Sequence, residues 1–371
     1  MESFIQLRKG TTPRRMHADL EGLKDDELGR YGFVGRSAHL YHRNDPTDFR
    51  AEGRLAGVDL MTTGLEPTDL ADPAGTPVLM FSNEDCRISL SRRAEAHPFY
   101  VRNVDSDELH FVHEGTGRFV TEFGPLTYRP GDYVYIPKAT TYRIEPDGGG
   151  EPGCRLVIEA TEEFRVPEPG VLGRHFPFDP ALITIPEAEP VEDDGREEYE
   201  VRLYHSGETT SLFYPHDPCD VEGWRGDNFP FTFNIEDHDV LGSESMHLPP
   251  TVHLFLQATG VYVMHFLPRR AEMRPGTERF PWYHRNVDFD EIAFYHGGNV
   301  FGQKMPPGLI SHAPQGVHHG APEKARERAR RRFDEFDRVE WKIIAVDTRR
   351  RLTPSPEVLA AAIQPDPEVA L

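Results

Sequence analysis

Residues 100–115 read YVRNVDSDELHFVHEG, and residues 283–298 read YHRNVDFDEIAFYHGG. Without a gap, ten of the sixteen positions are identical. Each block is followed by a second matched pair, PGDYVYIPKATTY at 130–142 and PGLISHAPQGVHH at 307–319. Both segments carry a Gly, five residues and a Pro: Gly131 with Pro137, and Gly308 with Pro314. Two copies of one supersecondary unit, about 180 residues apart, make this chain a duplicated domain.

Around these blocks, apolar and polar residues alternate, as in ELHFVHEG, GRFVTEF, PLTYRPGDYVYIP and CRLVIEAT, with turn residues at short intervals. That pattern predicts antiparallel strands closing into barrels or sandwiches. The 32 Gly and 33 Pro in 371 residues point the same way, toward short strands and turns rather than long helices. The Pro- and Glu-rich stretch 166–199 cannot sustain a central ladder, because Pro lacks a backbone donor. The expected organisation is therefore an N-terminal unit over 1–165, a connection over 166–199 and a C-terminal unit over 200–371. A short helix is expected over Glu323–Phe336, ahead of the strand WKIIAVDT, and a brief helix or frayed tail at PEVLAAAI.

The net charge of −21 disfavours nucleic acid and anionic membranes as partners. The basic run from Lys324 to Arg332 is interrupted by Ala and Glu, and reads as a solvated helix face. Cys86, Cys154 and Cys219 lie far apart and predict neither a disulfide framework nor a zinc knuckle. No stretch approaches the roughly 20 apolar residues of a membrane span, and the N-terminus lacks an apolar leader, so a cytoplasmic location is expected.

The second copy carries more than the repeat requires. His284, Asn286, Glu291 and Gly298 form H-x-N-x4-E-x6-G; Gly308, Pro314, Gly316 and His319 form G-x5-P-x-G-x2-H. These eight positions over 36 residues resemble the two motifs of the cupin superfamily, with Asn in place of the second His of the first motif. The fold expected is all-β, two cupin (jelly-roll) barrels in tandem with short helices. The step from His284 to Glu291 is odd, so a turn or bulge must separate them. Neighbouring barrel strands can then bring His284, Glu291 and His319 to one point. Two imidazoles and one carboxylate on one face of a metal are the arrangement of non-haem Fe(II) oxygenases, which makes Fe(II) the expected cofactor. A lone His or Glu inside a barrel is more often a hydrogen-bonded core residue; here the joint spacing carries the reading. The first copy has Val101, Glu108 and Tyr142 at the matching positions, so the metal site is expected in the C-terminal barrel only.

The tetrapeptide YHRN, in PWYHRN before an acidic residue and an apolar strand, is similar to the homogentisate 1,2-dioxygenase family. TEFGPLTYRPGDYVYIPKATTYRI, GVLGRHFPFDPALITIPEA and HLFLQATGVYVMHFLPRR resemble that family's first barrel, interdomain segment and the strand pair before its metal site. The resemblance implies Fe(II) held by His284, Glu291 and His319, and extradiol-type opening of a small aromatic acid, homogentisate or a related hydroquinone or phenolic acid, with O2. It also implies a role in aromatic catabolism such as tyrosine degradation, and a homo-oligomer, trimer or hexamer.

Against the family's Trp-His-Gly-Asn, whose His handles the phenolic proton, this chain has Trp224, Arg225, Gly226 and Asp227. Arg225 stays charged and cannot accept a proton. It would anchor a substrate carboxylate, or His312 or His318 would take over proton transfer, or the segment is a surface turn. Tyr283 and Asn286, flanking His284, are placed beside Arg225 as substrate-binding residues. The family's shorter step between metal His and Glu would select Asp290, but Gly298 sets the register that selects Glu291; Val300 stands where the family has a carboxylate-gripping Tyr. Two alternatives use the same motifs: a metal-dependent cupin isomerase or lyase, and a non-catalytic bicupin that binds a ligand.

Overall fold

The computed structural model describes residues 7–32, 35–53, 55–148, 152–175, 177–191, 194–245 and 252–363. The chain is all-β, with only two α-helices among these residues, Glu323–Arg331 and Pro356–Ala361. Three large sheets dominate. A seven-stranded sheet runs in the order Phe231–Asn234, Asp132–Ile136, Asp107–Glu114, Cys154–Ala160, Cys86–Ser91, Val78–Ser82, Thr353–Pro354. Facing it is a six-stranded sheet: Glu208–Tyr214, Tyr199–His205, Tyr100–Asn103, Thr141–Pro146, Gly117–Thr121, Gly124–Tyr128. In the other half, a six-stranded sheet holds Val252–Ala258, Val261–Phe266, Lys342–Thr348, Asp290–Gly297, Leu309–Ala313 and Val58–Met61. A smaller sheet of Tyr283–Asn286, Lys24–Gly29 and Ser37–His42 completes it.

Strands such as Asp132–Ile136 and Asp107–Glu114 are buried almost throughout, because both faces of their sheet are covered. On Asp107–Glu114, Glu108, His110 and Val112 line the interior of the first barrel, while Leu109 and Phe111 pack outward against the second half. The largest core thus lies between the halves, where Phe111 meets Phe294 at 6.1 Å between ring centres and Tyr133 meets Phe255 at 4.6 Å. Phe111 and Phe294 occupy equivalent places in the repeat, as do His113 and His296, whose Nδ1 atoms are 2.8 Å apart. Equivalent residues can meet only near a pseudo-twofold axis, so the duplicated sequence is a duplicated structure.

Sheet membership departs from the boundaries 1–165 and 200–371. Val58–Met61 pairs with Leu309–Ala313, and Lys24–Gly29 runs parallel to Tyr283–Asn286, so two strands from the N-terminal part of the chain complete the second barrel. Conversely, Tyr199–His205 pairs with Tyr100–Asn103 and Phe231–Asn234 with Asp132–Ile136, closing the first. Each half covers the other's open edges, which would otherwise present unpaired N–H and C=O groups. The Pro-rich stretch marks where a ladder stops; composition carries nothing about which edge the chain joins next.

The helix expected over Glu323–Phe336 ends at Arg331. It is less solvated than its charge suggests: Ala325, Arg326 and Ala329 are buried, and the Arg326 guanidinium lies 4.0 Å from the Tyr283 ring centre. The second helix starts at Pro356 and is capped by the Ser355 hydroxyl, which accepts from the Val358 N–H. The three cysteines are buried free thiols. Among the described residues, no helix is long and apolar enough to cross a membrane.

Candidate metal centre

The strand Tyr283–Asn286 ends in a turn and the chain re-enters the neighbouring sheet at Asp290, which absorbs the odd step between His284 and Glu291. An isolated antiparallel bridge brings His319 beside His284, with N–H to carbonyl bonds of 3.0 and 2.9 Å in the two directions. Nε2 of His284 lies 3.8 Å and Nε2 of His319 3.5 Å from Glu291 Oε2. Among the described residues, this is the only group of three His, Cys, Asp or Glu side chains close enough to hold a metal ion.

Each imidazole is oriented from behind. His284 Nδ1 lies 3.4 Å from the Trp282 carbonyl, and His319 Nδ1 3.1 Å from the Val317 carbonyl. A proton on Nδ1 leaves Nε2 as the free lone pair, the tautomer a metal requires. Nε2 of His319 is buried with no hydrogen-bond partner. Neighbouring donors around an ion bound at about 2.1 Å stand roughly 3 Å apart, so each His–Glu gap needs to contract by less than about 1 Å. Burial alone would raise the Glu291 carboxyl; the two imidazoles outweigh it and hold it well below the usual carboxylate range. Burial likewise works against a charged His319, and Glu291 reverses it, raising its pKa. A buried carboxylate facing two imidazole nitrogens forms a donor set that a dication would satisfy. The residues present fit a metal.

The triad opens onto a cavity of about 80 Å³ walled by Met264, Phe266, Trp282, Trp341 and Ile343, with Glu27 and Asp347 as further carboxyls. Asp347 faces Glu291 across the ladder, and burial, with the charges of Glu291 and Asp290, raises it well above the ordinary range. Glu27 enters from the N-terminal arm, where it is the register partner of His284; its Oε2 is 4.0 Å from Nε2 of His39, whose ring packs edge-on against Trp282. Sequence reasoning missed Glu27 and His39, because some 250 residues separate them from the motifs.

Of the other expected site residues, Asn286 alone reaches the cavity; its amide lies 3.5 Å from Glu291 Oε2. Tyr283 points to the opposite side of its strand, with its hydroxyl on Asp45 at 3.1 Å and Glu323 at 3.3 Å. His312 also faces away. Its neighbours Ser311 and Ala313 line the cavity, whereas His312 binds Asp290 at 3.1 Å and packs on Phe81. His318 alternates with His319 in the same way and meets Asp26 at 3.1 Å. Strand alternation therefore removes both histidines from the proton-handling position. Arg225 is exposed in a loop whose Trp224 packs on Phe123 of the first barrel and donates to the Pro186 carbonyl; it does not line the cavity. Of its three readings, the surface turn is the one this placement matches.

The first barrel repeats the geometry without the ligands. Tyr142, equivalent to His319, donates its hydroxyl to Glu108 at 2.6 Å, and Asn103 donates to the same carboxylate at 3.0 Å. A direct hydrogen bond occupies the place where the second barrel leaves donors open.

A family model described as the homogentisate 1,2-dioxygenase N-terminal domain matches residues 83–235. That range covers the first barrel with its returning strands and stops short of the triad. A Saccharolobus solfataricus protein named "Putative dioxygenase" is 26% identical over 370 residues, covering 93% of both chains. The homogentisate 1,2-dioxygenases of Nitrobacter hamburgensis and Bradyrhizobium diazoefficiens are each 28% identical over 61% of this chain. This chain spans about half of their length, 52% in both cases. The structure of Ylba from E. coli aligns with 81% of this chain at 9% identity and a TM-score of 0.40. The resemblance to the homogentisate 1,2-dioxygenase family, read from the motifs, is borne out by the family model and by the two homogentisate 1,2-dioxygenase sequences.

Proposed function

We propose that the protein is a non-haem Fe(II) dioxygenase that opens the ring of homogentisate or a related hydroquinone or phenolic acid with O2. The observation that carries this reading is the convergence of two imidazoles and one carboxylate on one side of a cavity otherwise walled by aromatic and aliphatic side chains. Likeness to dioxygenases supports it.

His284, Glu291 and His319 would hold the iron, which when bound supplies Lewis acidity and an attachment point for a ring hydroxyl and O2. The remaining steps fall to the protein. Phe266, Trp282 and Trp341 in the cavity wall would pack against a flat ring and exclude water. Glu27 is the carboxylate placed to take the phenolic proton, with His39 beside it to stabilise the charge or pass the proton on. Asn286 steadies Glu291. The setting proposed is a cytoplasmic homo-oligomer, a trimer or hexamer, acting on a small aromatic acid.

The test uses anaerobically purified, Fe(II)-loaded protein. Oxygen uptake is expected with at least one of homogentisate, gentisate and 3-hydroxyanthranilate, and His319→Ala is expected to lose both iron and uptake while keeping its circular dichroism. No uptake with any of the three overturns the reading. Turnover of a sugar phosphate with Mn(II) or Zn(II) and without O2 would assign the site to isomerase or lyase chemistry instead.

A further inference from the structure

The interior of the first barrel, where Val101 and Tyr142 stand in place of His284 and His319, is not filled. It encloses about 390 Å³, the size of a small-molecule site rather than a packing defect. Register arranges its polar groups in layers. Across the three central strands, Ser91, Arg155 and Val112 form one layer, Ser89, Val157 and His110 the next, and Arg87, Glu159 and Glu108 the third. Arg155 and Glu159 are four residues apart on one face, so their Cα atoms are separated by roughly 13 Å.

The first layer is a cationic floor. Arg93 and Arg155 are each 1% exposed, and among the described residues neither has a carboxylate within salt-bridge distance. Arg93 donates to the carbonyls of Pro73 and Gly75; Arg155 donates to the Ser91 hydroxyl at 2.8 Å and leaves its buried Nε without an acceptor. The Ser91 hydroxyl in turn donates to Asp69 at 2.6 Å. His97 accepts from the Ile144 N–H through Nδ1, so its Nε2 is a donor with no partner assigned. In the middle layer, His110 is 3% exposed and neither ring nitrogen makes a hydrogen bond; Glu108 Oε2 lies 3.7 Å from its Nε2. At the far end Glu108 is held by Tyr142 and Asn103, and burial, with the charge of Glu108, pushes Glu159 up to about 7.

Buried guanidinium groups on neutral acceptors and a buried imidazole that makes no hydrogen bond are costly to keep. A barrel that had merely lost its metal ligands would gain stability by filling this space with apolar side chains. We propose that the first barrel is a second binding site, for a small organic acid whose carboxylate is held by Arg155 and His97 and whose opposite end carries a hydroxyl facing Glu108 and Glu159. The phenyl ring of Phe99 and the side chains of Val101 and Ile144 give it an apolar waist. This inference is independent of the chemistry proposed for the second barrel.

The experiment is calorimetric titration of the full chain with 4-hydroxybenzoate, benzoate and phenol. The carboxylates should bind, 4-hydroxybenzoate more tightly than benzoate, and phenol about tenfold or more weakly. Binding should persist in His319→Ala, and weaken about tenfold or more in Arg155→Leu and in the less buried His97→Leu, which keeps the test valid should Arg155→Leu fail to fold. No binding of either acid, or binding lost in His319→Ala and unchanged in His97→Leu, overturns the proposal.

Discussion

His312 binds the Asp290 carboxylate at 3.1 Å, and the equivalent pair in the first barrel, Tyr135 and Asp107, does the same at 2.7 Å. The correspondence extends to the other acceptors. Asp290 takes the N–H groups of Gln315 and Leu352; Asp107 takes those of Lys138 and Phe164. In both copies this aspartate ties the strand carrying the site glutamate to the loop after the next strand. His312 is therefore a structural partner. His312→Ala should cost about 1–3 kcal/mol in denaturant unfolding, since it strips a buried carboxylate of one donor. Metal content per folded chain should stay at the wild-type value; a variant of normal stability that loses its metal would show this assignment to be wrong.

Glu27→Gln removes the proposed proton acceptor while keeping its shape. We expect kcat to fall on the order of 100-fold with iron content unchanged, as for loss of a general base. Steady-state oxygen uptake checks this, and wild-type kcat would remove Glu27 from the mechanism.

Arg225→Gln changes an exposed side chain outside the cavity. Its effect on KM should stay within roughly twofold, the scale of a surface substitution. A large rise in KM for an acid substrate, with kcat retained, would restore Arg225 as a carboxylate anchor.

Leu60 belongs to the N-terminal arm yet is fully buried in the core between the halves, on a strand paired with Leu309–Ala313. Leu60→Ala should cost about 2–5 kcal/mol, the range for a buried leucine truncated in place. Urea unfolding should show the loss in the transition that reports the second barrel, although the mutation lies near the start of the chain.

Glu159 gives a pH signature. Its carboxyl is raised to about 7 in the folded chain by burial first and by Glu108 second, from an ordinary value of 4.5. Between those values the folded state binds the extra proton, so stability falls as pH rises from about 4.5 through 7. Its side chain is 18% exposed and Arg87 lies 3.5 Å away, so the effect is on the order of 1–3 kcal/mol. Glu159→Gln should flatten this slope, making the variant the more stable protein at pH 8 but not at pH 5. Parallel curves for the two proteins across that range would contradict the shift.

The sequence alone determined the duplication, the all-β class and the three side chains that converge, His284, Glu291 and His319. These depend on local spacing: a repeat, a period of two, and two short motifs whose ligands lie within 36 residues. Erosion of the site in the first copy was also legible, because Val101 and Tyr142 cannot replace two imidazoles. What lies around the metal site was decided by tertiary structure. Glu27 reaches the cavity, with His39 beside it, because the arm pairs Lys24–Gly29 with Tyr283–Asn286, and strand pairing across some 250 residues leaves no periodic trace. Alternation assigned His312, His318 and Tyr283 to the far faces of their strands; the sequence names the residues, but only the sheet fixes which face looks inward. The same physics exchanged strands between the halves, since an open sheet edge is satisfied by whichever segment the folded chain brings to it.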